Sequence, residues 1–199
     1  MKTIVAATQN KNKIIEIEAI TKEFGMKIIS RDEAGVENVE VVEDGDTFEE
    51  NSLKKAEEIR DLCGKITIAD DSGLEVDILD GAPGVISAMY AGDERDDQKN
   101  RDKLLKELEG VPFEKRTAGF VSVISMAYPC GKSIVVRGTC KGHVAFEERG
   151  VNGFGYDSLF IPHGYDETFA EISLEEKNKI SHRANALNLL RIELEKQNA

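Results

Sequence analysis

Apolar residues recur along this chain at two spacings, and the switching between them predicts most of its elements. Thr3–Ala7 is an apolar run of strand length, followed by Ile14, Ile17, Ile20 and Phe24 on or near one helical face. Gly25 closes that helix as a left-handed cap, and Met26–Ile29 forms a second short strand. A strand-helix-strand opening predicts parallel pairing. The polar stretch Ser30–Asp46 reads as loop, with room for one strand at Val39–Val42. Thr47 reads as the next N-cap, because Glu50 stands at capping-box spacing and Phe48, Leu53, Ala56 and Ile59 recur at helical intervals before Gly64.

Beyond Gly64, Ile66–Ile68 is a buried strand expected to end at Asp70-Asp71, and Leu74–Leu79 resumes apolar character before the turn Asp80–Gly84. A helix fits Asp97–Glu109 with Leu104, Leu105 and Leu108 inward. Thr117–Tyr128 and Lys132–Phe146, joined at Pro129-Cys130-Gly131, predict an antiparallel hairpin. A glycine-rich turn at Gly150–Gly155, a strand at Asp157–Ile161 and helices from Ser173 onward complete the pattern. Ser173 opens a short helix with a capping box, and Ser181 caps a second one. The order is mixed, so the class is α/β with a mixed sheet.

Composition narrows this. With 199 residues and 40% hydrophobic content, the chain can bury one core, or two lobes sharing a sheet, and a single domain over 1–199 is expected. Cys63, Cys130 and Cys140 are an odd number at spacings that fit neither a disulfide framework nor a zinc site, which predicts reduced thiols and a cytoplasmic location. No apolar run approaches the ~18 residues of a membrane span. A net charge of -12, from 38 acidic and 26 basic residues, argues against nucleic acid as a partner. A single nucleotide needs only a local cluster of cations, and a divalent metal can supply the rest.

Candidate chemistry lies in a few segments. In Ala69-Asp70-Asp71-Ser72-Gly73-Leu74, two adjacent carboxylates leave a buried strand, which is costly unless a metal or a proton transfer uses them. The plainer alternative is a turn capped by Asp70 with Asp71 solvated. Thr8, Gln9, Asn10, Lys11, Asn12 and Lys13 put amides, a hydroxyl and two lysines at a helix N-terminus, suited to phosphate or simply to an Asn-capped surface helix. Asn51 and Lys55 share a helix face, while capping explains Glu50. Gly153-Phe154-Gly155-Tyr156-Asp157 offers a stacking ring and a carboxylate for ring N–H groups, or a tight turn around a core Phe. His182 and Arg183 begin a helix where acids are preferred, a broken local rule of the kind that marks function. His143 and His163 have no comparable company.

Taken together, Thr8–Lys13, Thr47-Phe48-Glu49-Glu50-Asn51, Ala69–Leu74 with Gly81-Ala82-Pro83-Gly84, Phe154-Gly155-Tyr156-Asp157 and Ser181-His182-Arg183 resemble the Ham1/ITPase family of non-standard purine nucleoside triphosphate pyrophosphatases (XTP/dITP diphosphatases). They run in family order over nearly the whole chain. The resemblance implies an elongated mixed β-sheet flanked by helices, two lobes with a central nucleotide cleft, and a homodimeric, Mg²⁺-dependent enzyme. It implies hydrolysis of ITP, dITP and XTP to the monophosphate and pyrophosphate, which clears deaminated purines from the nucleotide pool. Asp71 would be the proton acceptor and a metal ligand, with Asp70 in support. Ser72, Lys13 and Lys55 would hold phosphates, Phe154 would stack on the base, and Lys177, His182 and Arg183 would read its edge. Gly155, Tyr156 and Asp157 would complete the base site, and Thr8–Asn12 with Asn51 the rest of the substrate contacts.

Two departures from the family pattern stand out. Met89 occupies the place where the family often has Arg, and Val42-Glu43 stands for an acidic pair, leaving Glu43, with Glu40 behind it, as the second metal ligand. The rival readings are a Maf-type pyrophosphatase of modified pyrimidine nucleotides and a non-catalytic nucleotide sensor, which would not need Asp70-Asp71.

Overall fold

The computed structural model describes residues 2–37 and 39–197. Strand β1 (Lys2–Ala6) pairs in parallel with β2 (Met26–Ser30), Ile4 opposite Ile28, and with β3 (Thr67–Val76), Val5 opposite Thr67. Helix α1 (Lys11–Thr21) makes the first crossover and runs through a 3₁₀ turn into Gly25, whose φ of 71° is the left-handed cap that its position predicts. Helix α2 (Phe48–Cys63) begins with the full Thr47–Glu50 capping box and ends at Gly64, also left-handed. Downstream, helix α3 (Asp97–Glu107), strands β4 (Thr117–Ala127), β5 (Ser133–Val144) and β6 (Phe160–Pro162), and helices α4 (Leu174–Ile180) and α5 (His182–Gln197) follow. Strand order is β2-β1-β3-β4-β5-β6, and β6 lies antiparallel to β5, so the sheet is mixed as expected.

The chain divides into two compact units: Met1–Asp71, Ser122–Gly138 and Arg183–Ala199 form the first, Ser72–Val121 and Thr139–His182 the second. In the first, strand alternation sorts the core onto two faces. Ile4, Ala6, Ile68, Ile124 and Met126 pack with Ile17 and Ile20 of α1 and Leu187 and Leu190 of α5. Their immediate neighbours Val5, Ala7, Ala69 and Ala127 pack with Ala56 and Ile59 of α2. The second unit has its own core, in which Leu74, Val76, Phe120 and Val144 meet Leu104, Leu108, Phe160 and Phe169.

Three elements differ from expectation. Strand β3 does not stop at the carboxylates but continues without a turn through Asp70-Asp71-Ser72-Gly73 to Val76, because both acids find cationic partners inside the protein. No strand forms at 39–42; Val39 and Val41 pack singly against the α2-side core, while Val42 is exposed. Strand β6 is shorter than expected, because Asp157–Leu159 is a 3₁₀ turn. The three cysteines are unpaired, as their spacing predicts, and among the described residues no helix is long and apolar enough to cross a membrane.

Leu187 is fully buried on the face shared by α1 and α5. Leu187→Ala should lower stability by about 3 kcal/mol, read as a lower urea midpoint at unchanged m; a loss under about 1 kcal/mol would contradict this packing.

Candidate functional site

The pleat of β3 divides the acidic pair. Asp70 follows the parity of Ile68 and meets the side chains of α1 and α5, whereas Asp71 follows Ala69 and meets α2. Asp70 is buried, with Lys13 Nζ 2.7 Å from Oδ1. Arg183 donates from Nε to Oδ2 at 3.0 Å and from Nη2 to Oδ1 at 3.3 Å. Ser122, on the same side of β4 as Ile124, donates its hydroxyl to Oδ2 at 2.7 Å. Burial alone would raise the Asp70 carboxyl, but the Arg183 and Lys13 charges outweigh it and hold the group well below the ordinary carboxylate range. Arg183 is itself 1% exposed and carries a second carboxylate, Glu16, on Nη1.

On the other face, Lys55 Nζ donates to Asp71 Oδ1 and to the Asp70 carbonyl, each at 3.0 Å, and lies 3.2 Å from Glu43 Oε2. Burial dominates at Asp71 and raises its carboxyl despite Lys55 and Lys13, with the Glu43 charge adding to the rise. Burial likewise opposes ionisation of Glu43, but Lys55 outweighs it and lowers that group. Asp71 Oδ2 is buried without a hydrogen-bond partner. The adjacent acids therefore have opposite characters, one fixed as an anion and one raised with an oxygen that no donor holds.

The second unit carries a different cluster. Lys177, on α4, is 3% exposed and donates to Asp157 Oδ2 at 2.7 Å, and the same oxygen accepts the Phe154 N–H at 3.0 Å. The Lys177 ammonium lies 5.2 Å from the half-buried Phe154 ring centre and 5.5 Å from that of Phe169. His182 stacks on Phe120 with centroids 4.6 Å apart. The loop can approach Asp157 only through Gly153, which has a φ of 76° and whose added Cβ would stand 2.0 Å from Asp157 Oδ2.

The other candidate residues have partners and surroundings of their own. Arg183 is bound to Asp70 and Glu16, a buried counter-charge to both. Both oxygens of Asp70 are engaged inside the protein, by Lys13, Arg183 and the Ser122 hydroxyl. Asn51 binds the backbone of Gly45, accepting its N–H at 2.8 Å and donating to its carbonyl at 3.3 Å. Asn10 caps α1, accepting from the Asn12 and Lys13 N–H groups, and its own N–H is held by Thr8 Oγ1; Gln9, Lys11 and Asn12 are exposed. Tyr156 is a core residue whose hydroxyl donates to the Ser87 carbonyl at 2.8 Å, and Gly155 is held by Asp97 and Arg101 of α3. Ser72 is half-buried in β3. Sequence reasoning missed Glu16 and Ser122. Glu16 stands three residues after Lys13, so both reach one face of α1, and that spacing was the available signal; Ser122 carries none.

The fold and these clusters define an α/β protein with cation-held carboxylates in one unit and a lysine beside aromatic rings in the other. The model of the Ham1 family matches residues 4–192, and the chain belongs to that family. It is 47% identical over 191 residues to the dITP/XTP pyrophosphatase of Halalkalibacterium halodurans, covering 96% of this chain and 97% of the relative. It is 50% identical over 190 residues to that of Desulfotalea psychrophila, covering 96% and 84%. Among solved structures, the Ham1 protein of Staphylococcus aureus aligns with a TM-score of 0.86 at 43% identity, covering 98% of this chain and 100% of that one. A nucleoside-triphosphatase / dITP/XTP pyrophosphatase of Mycobacterium abscessus aligns at 0.76 with 41% identity, covering 94% and 97%.

Gly153→Ala should destabilise the second unit by about 2–4 kcal/mol, through positive φ and the clash with Asp157. Thermal melting reads this, and an unchanged midpoint would show that Asp157 and the loop are not held together as described.

Proposed function

We propose that this chain hydrolyses non-standard purine nucleoside triphosphates, dITP, XTP and ITP, to the monophosphate and pyrophosphate. Asp71 carries the reading: it is a buried carboxyl raised by its surroundings, with one oxygen on Lys55 and the other without a donor. Such a group suits acceptance of a proton from the attacking water. Relatives named dITP/XTP pyrophosphatase, at 47% and 50% identity over nearly the whole chain, support the substrate class.

Asp71 and Glu43 also fit a hard divalent cation. Their donors are all carboxylate oxygens, one of them unpartnered, and no His, Cys, Asp or Glu group of three or more that could hold a metal occurs among the described residues. Water and phosphate oxygens would complete the shell, as Mg²⁺ prefers. Mg²⁺ held there would supply charge neutralisation on the departing pyrophosphate. Lys13 and Lys55 place positive charge beside the acids, where it can stabilise charge growing on phosphate oxygens, and Ser72 adds a hydroxyl. Asp70, ionised by Arg183, keeps Lys13 in place. The Phe154 ring offers a stacking face for the base, and Lys177 a donor for its 6-oxo group. A homodimer in the cytoplasm belongs to the same reading.

Phosphorus NMR of the chain with Mg²⁺ and dITP tests it. The expected products are dIMP and pyrophosphate. Release of dIDP and orthophosphate would overturn the reaction, and binding without turnover would favour the nucleotide sensor. With dATP, which offers a donor where hypoxanthine offers an acceptor, kcat/KM should fall by ~10⁴-fold; equal values would contradict the base recognition.

A further inference from the structure

The segment 43–47, just before α2, is fastened to that helix at each residue, its chain direction reversed against the helix residues it meets. Glu43 meets Lys55 at 3.2 Å, and Asp44 meets Lys54 at 2.6 Å. Gly45 is held by Asn51 through both its N–H and its carbonyl, while the Asp46 and Thr47 N–H groups donate to Glu50 Oε2 at 2.9 and 3.2 Å. Helix capping accounts for the Glu50 contacts but not for Asn51. The Asn51 N–H is already bonded to the Thr47 carbonyl, and its side chain reaches past the capping box to a residue outside the helix. Of the helix side chains that fasten the segment, Asn51 is the most buried, at 3% exposure, and it binds backbone, so it fixes the course of the chain instead of one side-chain end.

Gly45 shows how close that approach is. Its added Cβ would lie 2.7 Å from Glu50 Cβ, which is fixed to the helix, and 2.8 Å from Asn51 Oδ1, which already accepts the Gly45 N–H. Two residues upstream, the Glu43 carboxylate arrives at Lys55, one helical turn beyond Asn51 and on the same face. Lys55 in turn holds Asp71. One face of α2 therefore grips the backbone of the segment at Asn51 and its carboxylate at Lys55.

We propose that Asn51 is a positioning residue: by clamping the Gly45 peptide it presents the Glu43 carboxylate beside Asp71, so that the two acids together bind a divalent cation. The proposal rests on the reading of Asp71 and Glu43 as that cation's ligands. Without the clamp, segment 43–47 keeps its exposed contacts and the capping box but loses its buried anchor, and Glu43 spends less of its time beside Asp71.

Titration of the full chain with Mn²⁺ alone, read by the loss of the free-ion EPR signal, tests this apart from turnover. Asn51→Ala should weaken Mn²⁺ binding by about 10- to 100-fold, the range for residues that orient metal ligands. Gly45→Ala should weaken it similarly by forcing the segment off the helix, and serves if Asn51→Ala does not fold. Asp44→Ala, which removes only an exposed pair with Lys54, should bind Mn²⁺ as the wild type does. Wild-type affinity in both Asn51→Ala and Gly45→Ala, with binding lost in Asp71→Asn, would overturn the positioning role and leave the metal reading standing. Undiminished binding in Asp71→Asn and Glu43→Gln, or no binding by the wild-type chain, would overturn the metal reading and the proposal with it.

Discussion

Two adjacent carboxylates on one β-strand cannot face the same way, and the chemistry of the first unit follows from that constraint. The period of two sends Asp70 toward α1 and α5, where Arg183, Lys13 and Ser122 surround it, and Asp71 toward α2, where Lys55 receives it. Helices α1 and α5 thus bring their cations to Asp70, and α2 brings its own to Asp71. An isolated buried carboxylate would not stay ionised; Asp70 does so because two cations offset its burial, and Arg183 tolerates its own burial because Asp70 and Glu16 share it. At Asp71 burial outweighs Lys55 and Lys13, with the Glu43 charge adding to it, and the carboxyl is raised instead.

Loop placement in both units rests on glycine peptides gripped by helix side chains. Asn51 of α2 takes both polar groups of Gly45, and Asp97 with Arg101 of α3 takes both of Gly155. In each case the glycine lies one or two residues from a residue with proposed chemistry, Phe154 or Glu43. A peptide bonded through both its N–H and its carbonyl has its course fixed at that point.

The elements were legible because their signals are local. Gly25 and Gly64 end helices, Thr47 and Glu50 start one, and Ile14, Ile17 and Ile20 mark a face. The continuation of β3 past Asp70-Asp71 was not legible, since composition there speaks for a turn and only partners distant in sequence, Lys13, Lys55, Ser122 and Arg183, make a strand tolerable. For the same reason the motif residues were found but their roles were not separable. Arg183 and Asn51 stand in the segments that the resemblance marks, but that Arg183 meets Asp70 and Asn51 the Gly45 peptide is read only from the structure. Glu16 was hidden because a glutamate in a helix reads as solvated until its arginine is known.

The pair is split into an anchored acid, Asp70, and an acid raised by its surroundings, Asp71. For Asp70, whose carboxyl is lowered on folding, ionisation stabilises the fold above its unfolded value, and that stability is lost as pH falls through the folded one. For Asp71, raised on folding, ionisation costs stability above the folded value. Paired urea melts and pyrophosphate-release assays of Asp70→Asn and Asp71→Asn at pH 7 separate the two. Asp70→Asn should lose about 3 kcal/mol or more, leaving Arg183 short of a buried partner. Asp71→Asn should stay within about 1 kcal/mol of wild type while losing at least ~100-fold in turnover. Equal stability losses in the two variants, or near-wild-type turnover in Asp71→Asn, would contradict the division of the pair.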